Sequence, residues 1–416
     1  MSEARPLSAA IIAVGTELIL EGCVDTNGVT ITRTLAGLGI QTARRVLVGD
    51  DEEEIALALS HAADRHRLVI VTGGLGPTVD DVTREALARA FGLELRENTE
   101  LLEGLKQRYR ARGREIDAWG ARQALVPVGA EPLPNAAGSA PGLLLKRPGG
   151  VVVLLPGVPH EMTRMLTEQV VPRLKGLFLD SGPPPLSLGI RASGLTEMEV
   201  QTRILDLFED PNTSTAIQLT LLASPGEISI IIRGKDAARL RTVHEAVRSR
   251  LGEAVFSLDT DAKLEKAVGG LLVERGLTLA VAESCTGGLL GALITSVPGA
   301  SRWFEQGWVT YADAAKTRLL EVPPELIARH GAVSEEVATA MAVAARRLSG
   351  ADIAAALTGI AGPDGGSVEK PVGLVFICVA SEAGCRTTRH LFAGDREMIR
   401  LYAARTALNR IRLEAP

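Results

Sequence analysis

Seven consecutive residues, Ala282-Glu283-Ser284-Cys285-Thr286-Gly287-Gly288, leave an apolar run and turn toward an amphipathic one. A serine at such a strand-to-helix turn stands at the strand end, with the following amides of Thr286, Gly287 or Gly288 placed to hold an oxyanion. The arrangement is analogous to a nucleophile elbow, although the G-x-S-x-G pattern is absent. Two other readings stand beside it. Serine is a common helix cap, and Cys285 is a rival nucleophile, although a small residue just inside a turn suits packing. A serine nucleophile also needs a base. His330 and His390 lie outside any recognisable partner motif. Lys316, in Tyr311-Ala312-Asp313-Ala314-Ala315-Lys316, is the better candidate, because burial lowers a lysine pKa and frees it to accept a proton. Asp313 opposes that shift, and a lone lysine is ordinarily a surface charge.

A second glycine-rich loop, Thr358-Gly359-Ile360-Ala361-Gly362-Pro363-Asp364-Gly365-Gly366, follows another apolar run. It supplies backbone donors for a phosphate or carbonyl, with Thr358, Gly359 and Gly362 as the candidate contacts. Gly-Pro and Gly-Gly also make ordinary turns.

A separate constellation lies near the start of the chain. Thr72-Gly73-Gly74-Leu75-Gly76-Pro77-Thr78-Val79-Asp80-Asp81 leaves an apolar run and enters a helix, which suits phosphate at a helix N-terminus. Gly73, Gly74, Gly76 and Thr78 are the candidate contacts. Asp80 and Asp81 either cap the helix or hold a divalent cation. Glu17, in Gly15-Thr16-Glu17, and Gly157, in Pro156-Gly157-Val158-Pro159, end two other apolar runs and are expected at the same crevice. Asn27 follows a capping Asp25 and is placed to reach the ligand. The loop holding Asn135 and Ser139 has no assigned position.

The elements that must position these residues follow from periodicity. Runs at 9–14, 42–48 and 68–72 alternate with amphipathic stretches at 27–38 and 52–64, a β-α-β-α-β order that implies a parallel sheet covered on both faces. A strand at 151–155 and a helix at 159–174 complete that domain, and Ser181-Gly182-Pro183-Pro184-Pro185 reads as a linker. From 186 to 256 the order is β-α-β-β-α-β, a small split-βαβ or KH-like module. RNA binding of the KH type needs a GXXG loop, which is absent, so a spacer or dimerisation module is the reading. From 261 the chain alternates again, with strands at 277–282, 307–311, 352–357 and 373–379 and helices at 264–274, 287–296, 334–348 and 395–410.

Composition narrows the classes. The 416 residues exceed one core, and the fold class is α/β in three domains, 1–178, 186–257 and 261–416. Net charge is −5, which argues against broad nucleic-acid binding. No apolar stretch is long enough to span a membrane. Four scattered cysteines without a C-x-x-C pair fit a reduced, cytoplasmic protein.

At Thr72–Asp81, residues 155–162, Ala282–Gly288, Pro298-Gly299-Ala300-Ser301, Gly331-Ala332-Val333-Ser334, Thr358–Gly366 and Lys370-Pro371-Val372-Gly373, the chain closely resembles the CinA (competence/damage-inducible) family. The resemblance covers nearly the whole chain. It implies a molybdopterin-binding-like first domain associated with divalent-metal-dependent ADP-ribose pyrophosphatase activity. It further implies a KH-like middle and a C-terminal nicotinamide mononucleotide deamidase domain that needs no cofactor, in a homodimer. Carried over by position, Ser284 is the nucleophile, with Lys316 and Tyr311 as its activating partners. Asp313 stands where the family often has Asn, and Ser139 where it often has Thr. Two further readings are a non-catalytic pterin- or nucleotide-binding first domain, and a DNA-uptake or recombination accessory role for the whole chain.

Overall fold

The computed structural model describes residues 8–111, 113–178, 186–209, 213 and 217–415, and the chain forms two compact units, 1–184 and 185–416. The linker read at 181–185 lies outside the described residues.

The strands of the first unit are β1 (Ser8–Val14), β2 (Gln41–Val48), β3 (Leu68–Thr72), β4 (Leu95–Glu97), β5 (Leu125–Pro127), β6 (Ala130–Leu133), β7 (Gly142–Arg147) and β8 (Gly150–Leu155). Six of them form one sheet in the order β2-β1-β3-β8-β7-β6, and β4 pairs with β5 separately. The four strands read from the sequence, β1, β2, β3 and β8, are parallel as expected, and β7 and β6, which were not read there, extend the sheet antiparallel. The reason is local. β7 and β8 are joined by a tight turn in which Gly149 has φ of 82°, and strands joined by a hairpin must run antiparallel.

Alternation along β1 builds both faces. Ala10, Ile12 and Val14 pack toward Ile55 and Leu59 of helix α2 (Glu52–Arg65), while Ala9 and Ile11 pack toward Ile31 and Leu35 of helix α1 (Thr26–Gly37). Helix α3 (Thr83–Phe91) follows the glycine loop. Helix α4 (Pro159–Met165) runs on through a π turn, Leu166–Val170, into a last helical stretch, Val171–Phe178.

The second unit contains two sheets. β9 (Leu186–Ser193), β10 (Ile217–Ser224), β11 (Glu227–Gly234) and β12 (Val255–Ser257) pair antiparallel in the order β10-β11-β9-β12. Helices α5 (Glu197–Ile204) and α6 (Ala237–Leu251) cover them, giving the β-α-β-β-α-β order expected of the middle module. The other sheet has the order β14-β13-β15-β16-β17, from β13 (Leu279–Glu283), β14 (Phe304–Val309), β15 (Ile353–Gly359), β16 (Leu374–Ser381) and β17 (Gly384–Leu391). Its first three strands are parallel and its last two antiparallel.

One face of this second sheet carries Val281, Ala355 and Leu357 under helices α7 (Leu264–Arg275), α8 (Leu289–Thr295) and the terminal helix. The other face is built of alanines. Ala280, Ala282, Ala354 and Ala356 meet the small residues Ala338, Ala342 and Ala345 of a long helix at Glu335–Ser349. Small side chains on both surfaces let helix and sheet approach closely and still fill the space. Helices α9 (Asp313–Leu320), α10 (Glu335–Ser349) and α11 (Arg396–Glu414), the terminal helix, follow in chain order, with a short helix at Pro324–His330 between the first two. No helix among the described residues is long and apolar enough to cross a membrane.

Candidate active sites

In the second unit the parallel strands β14, β13 and β15 end side by side, with Glu283 opposite Val309 on one flank and Leu357 on the other. The loops after them therefore share one crevice. Ser284 is the first residue beyond β13; its amide donates to Leu357 O at 3.0 Å. Its side chain is buried, yet the hydroxyl forms no hydrogen bond with any described residue. The capping reading fails here, because Glu283 does that work. The Glu283 carboxylate, 1% exposed, accepts from the amides of Gly288 at 3.1 Å, Leu290 at 3.0 Å and Gly291 at 2.8 Å, filling the first turn of α8.

This corrects the expected oxyanion donors. Gly288 N–H is taken by Glu283, and Gly287 N–H donates to Ser284 O at 3.0 Å. The amides of Cys285 and Thr286 make no backbone bond among the described residues and approach the Cys285 thiol instead. Thr286 is fully buried; its carbonyl accepts from Arg400 Nε at 3.1 Å and Nη2 at 2.7 Å, and its hydroxyl has no partner.

Lys316 is 1% exposed, with its ammonium donating to Thr310 O at 3.1 Å and Tyr311 O at 3.3 Å and lying 3.5 Å from Asp313 Oδ1. Burial pushes its pKa below the ordinary lysine range, and the Asp313 carboxylate only partly restores it. Thr310 ties this lysine to the turn, since its own amide donates to Glu283 O at 2.8 Å. Burial in apolar surroundings pushes the Cys285 thiol up to about 12, which disfavours its thiolate near neutral pH.

The Tyr311 side chain does not join Lys316. It is exposed, and its hydroxyl accepts from Arg396 Nη2 at 2.8 Å. Arg396 also donates to Gly362 O at 2.6 Å and so links the Tyr311 segment to the glycine loop after β15. Thr358 is fully buried and its hydroxyl donates to Ala332 O at 2.7 Å, so it fastens a neighbouring loop and has no donor left for substrate. Gly359 has no room for a side chain, since a Cβ there would lie 2.7 Å from Leu374 O.

In the first unit, β1, β3 and β8 also end together, with Thr72 opposite Ala13 and Leu155. Asn27 bridges the crevice: its amide group donates to Thr72 Oγ1 at 3.0 Å and to Gly157 O at 2.7 Å, while its buried Oδ1 has no partner. Asp25 caps α1. Gly73 and Gly74 have φ of 107° and 65°, and a Cβ on Gly73 would lie 2.1 Å from Val14 O, so only glycine fits this close passage. The neighbouring Glu17 is exposed, on the helical turn Thr16–Leu20.

Neither aspartate caps α3, whose N-cap residue, Val82, makes no side-chain cap bond. Asp80 is exposed. Asp81 Oδ2 accepts from the Thr78 amide at 2.8 Å and from the Thr78 hydroxyl, which uses the donors that Thr78 was expected to offer a ligand. Among the described residues no group of three or more His, Cys, Asp or Glu side chains is placed to hold a metal. Two carboxylates do suit the kind of divalent ion that keeps its waters and takes substrate phosphates as further ligands.

Beneath this loop lies Arg84, 1% exposed, donating to Leu75 O at 2.7 Å and Gly76 O at 3.1 Å. Turning two loop carbonyls inward sets the run of the backbone from Leu75 to Gly76.

Both units contain segments that match known families. Residues 261–414 match the family model "CinA C-terminal domain", and residues 10–176 match "Probable molybdopterin binding domain". A CinA-like protein of Geobacter metallireducens is 44% identical over 413 residues, covering 98% of each chain. The chain belongs to the CinA family. A second CinA-like protein, from Geobacter sulfurreducens, is also 44% identical, over 421 residues and 98% of each chain. The solved CinA structure from Thermoplasma acidophilum is 36% identical, covers 39% of this chain and 95% of its own, and has a TM-score of 0.38.

The resemblance seen in the motifs is thus a family relationship along almost the entire chain. Ser284 and Lys316 lie in the CinA C-terminal domain, and Gly73 through Asp81 in the molybdopterin-binding domain. The middle module lies outside both models. Motif reading missed three arginines. Arg396 and Arg400 sit on α11, far along the chain from the loops they touch, and Arg84 reads as an ordinary helix residue. Within the helix read at 395–410, the i, i+4 spacing of Arg396 and Arg400 just after the capping Asp395 is the signal that could have found them.

Proposed function

We propose that the C-terminal crevice is a serine amidohydrolase site converting nicotinamide mononucleotide and water to nicotinate mononucleotide and ammonia. The observation that carries this reading is that Ser284, 7% exposed, has a hydroxyl with no partner among the described residues, beside a turn whose capping is done by Glu283. A buried lysine of lowered pKa on the adjoining loop supplies the base.

The reaction follows from these groups. Ser284 Oγ bonds to the carboxamide carbon while its proton passes to neutral Lys316 Nζ. The amides of Cys285 and Thr286 hold the oxyanion, each preorganised donor contributing about 3–4 kcal/mol. Collapse breaks the C–N bond, and the leaving nitrogen takes the proton back from Lys316 and departs as ammonia. Water then attacks the acyl ester, giving one proton to Lys316; the acyl C–O bond breaks, Lys316 returns that proton to Ser284 Oγ, and the product leaves as carboxylate with its remaining proton passing to solvent. Arg396 and Arg400, with the loop 360–366, place positive charge at the mouth of the crevice, where the ribose phosphate would sit.

For the first unit we propose metal-dependent hydrolysis of a pyrophosphate such as ADP-ribose. Gly73 and Gly74 let the backbone approach a phosphate, and Asp80 and Asp81 would hold a divalent ion supplying Lewis-acid charge. Incubating the purified chain with nicotinamide mononucleotide and with ADP-ribose, with and without magnesium or manganese, tests both halves. Ammonia release independent of metal and ADP-ribose cleavage dependent on it are expected. Binding of ADP-ribose without cleavage would reduce the first unit to a nucleotide-binding module.

A further inference from the structure

The middle module has no assigned role, yet one stripe of α11 is fastened to it. Arg405, Asn409 and Arg412 stand at i, i+4 and i+7, on one face of the helix. Arg405 Nη1 donates to Pro225 O at 2.7 Å, and its Nε lies 3.2 Å from Glu227 Oε1. Arg412 donates to Glu253 O at 2.5 Å and to Val255 O at 3.4 Å. Glu227 is 2% exposed and also pairs with Arg191, so the contact is a buried ion network.

Two glycines of the module make the close fit possible. Gly226, at φ 77° in the turn between β10 and β11, has no space for a side chain, because a Cβ would lie 2.9 Å from Arg405 Cβ. Gly194, at φ 82° after β9, would place a Cβ 2.8 Å from Asn409 Nδ2. Backbone of the module therefore lies directly against the helix at two points.

The N-terminal turns of the same helix reach the crevice, through Arg396 to Tyr311 and Gly362 and through Arg400 to Thr286. Its buried stripe, including Ile399, Ala403, Leu408 and Ile411, rests on the sheet. An α-helix is stiff along its axis, so a shift imposed at Arg405 moves Arg400, about 7.5 Å away, with it.

We propose that the middle module is a brace for α11, and that its turn Pro225–Glu227 sets where Arg396 and Arg400 stand in the C-terminal site. Glu227 is then a positioning residue, acting through Arg405. The functional consequence rests on the amidohydrolase reading above; the mechanical one does not. Because a ribose phosphate is unchanged between ground and transition states, misplacing its partners raises KM and leaves kcat nearly as it was.

The test uses the full chain carrying Gly226→Ala or Glu227→Gln. Two readouts are taken: nicotinamide mononucleotide kinetics, and hydrogen–deuterium exchange of the peptide spanning residues 395–405. A KM raised about tenfold, kcat within about twofold of the parent, and faster exchange of that peptide are expected. A thermal melt confirms folding, and Glu227→Gln, which keeps the side-chain volume, serves if Gly226→Ala does not fold. Unchanged exchange and unchanged KM in folded variants overturn the brace. A parent chain without deamidase activity overturns the proposed function instead, and exchange alone then decides the brace.

Discussion

Glu283 and Ser284 are neighbours in the chain with opposite fates: the Glu283 carboxylate binds three amides at the start of α8, and the Ser284 hydroxyl has no partner among the described residues. Strand geometry explains the division. Glu283 is the last residue of β13 and directs its side chain under the helix start, while Ser284 begins the turn. The cap role is filled one residue early, which leaves the serine for chemistry.

Ser284→Ala should therefore fold normally and lose deamidation by several orders of magnitude, because no cap is removed with the hydroxyl. Cys285→Ala should keep most activity, and alkylation of Cys285 should be slow near neutral pH, because burial pushes its thiol up to about 12. Steady-state ammonia release and mass spectrometry of alkylated peptides read these outcomes. Full activity in folded Ser284→Ala with loss in Cys285→Ala would move the nucleophile to sulfur.

The pH profile should report Lys316. Its pKa is lowered by burial, and the neutral form is the base, so kcat/KM should rise with pH through that lowered value and then level off. Asp313 raises the lysine pKa, so Asp313→Asn should move this limb to lower pH. Lys316→Arg should be inactive, because a guanidinium keeps its proton. A limb that stays in place in Asp313→Asn would mean that another group controls it.

Arg396 should distinguish substrates by their phosphate. Arg396→Met should raise KM for nicotinamide mononucleotide by about tenfold, as loss of a charge-assisted bond implies, and barely change turnover of the phosphate-free riboside. Equal damage to both substrates would place the role of Arg396 in the loop contacts with Tyr311 and Gly362.

Asp80→Ala and Asp81→Ala should abolish ADP-ribose cleavage and leave deamidation intact, and a chelator should produce the same split. Asp81→Ala should also loosen the loop, since it removes the acceptor of the Thr78 amide, a bond contributing about 1 kcal/mol. Inhibition of deamidation by the chelator would refute the separation of the two sites.

A fragment of residues 261–416 contains all five strands of the second sheet and its covering helices, so it should fold alone. It should deamidate with a raised KM, lacking the module that grips Arg405. Complete inactivity of a folded fragment would show that the site draws on residues outside it.

Short-range pattern determined much of this protein. Apolar runs ending in glycine turns located β1, β3, β13 and β15, and with them the loops of both crevices, because strand period, turn residues and helix onset are written within a few positions of each other. The same pattern put Ser284 at the end of β13, whereas Lys316 was singled out by its spacing from Tyr311. The folded structure decided which donors were free, through local bonds at Gly287, Gly288 and Thr78 and a long-range one at Thr358. Gly287, Gly288, Thr358 and Thr78 all carry suitable groups, and each is satisfied by a partner that window-by-window reading does not weigh. Tyr311 sits five residues from Lys316 yet gives its hydroxyl to Arg396, 85 residues on. Such pairings depend on which strand ends and helix turns the packed core brings together, and burial then forces every polar group to find a partner or be left for a ligand.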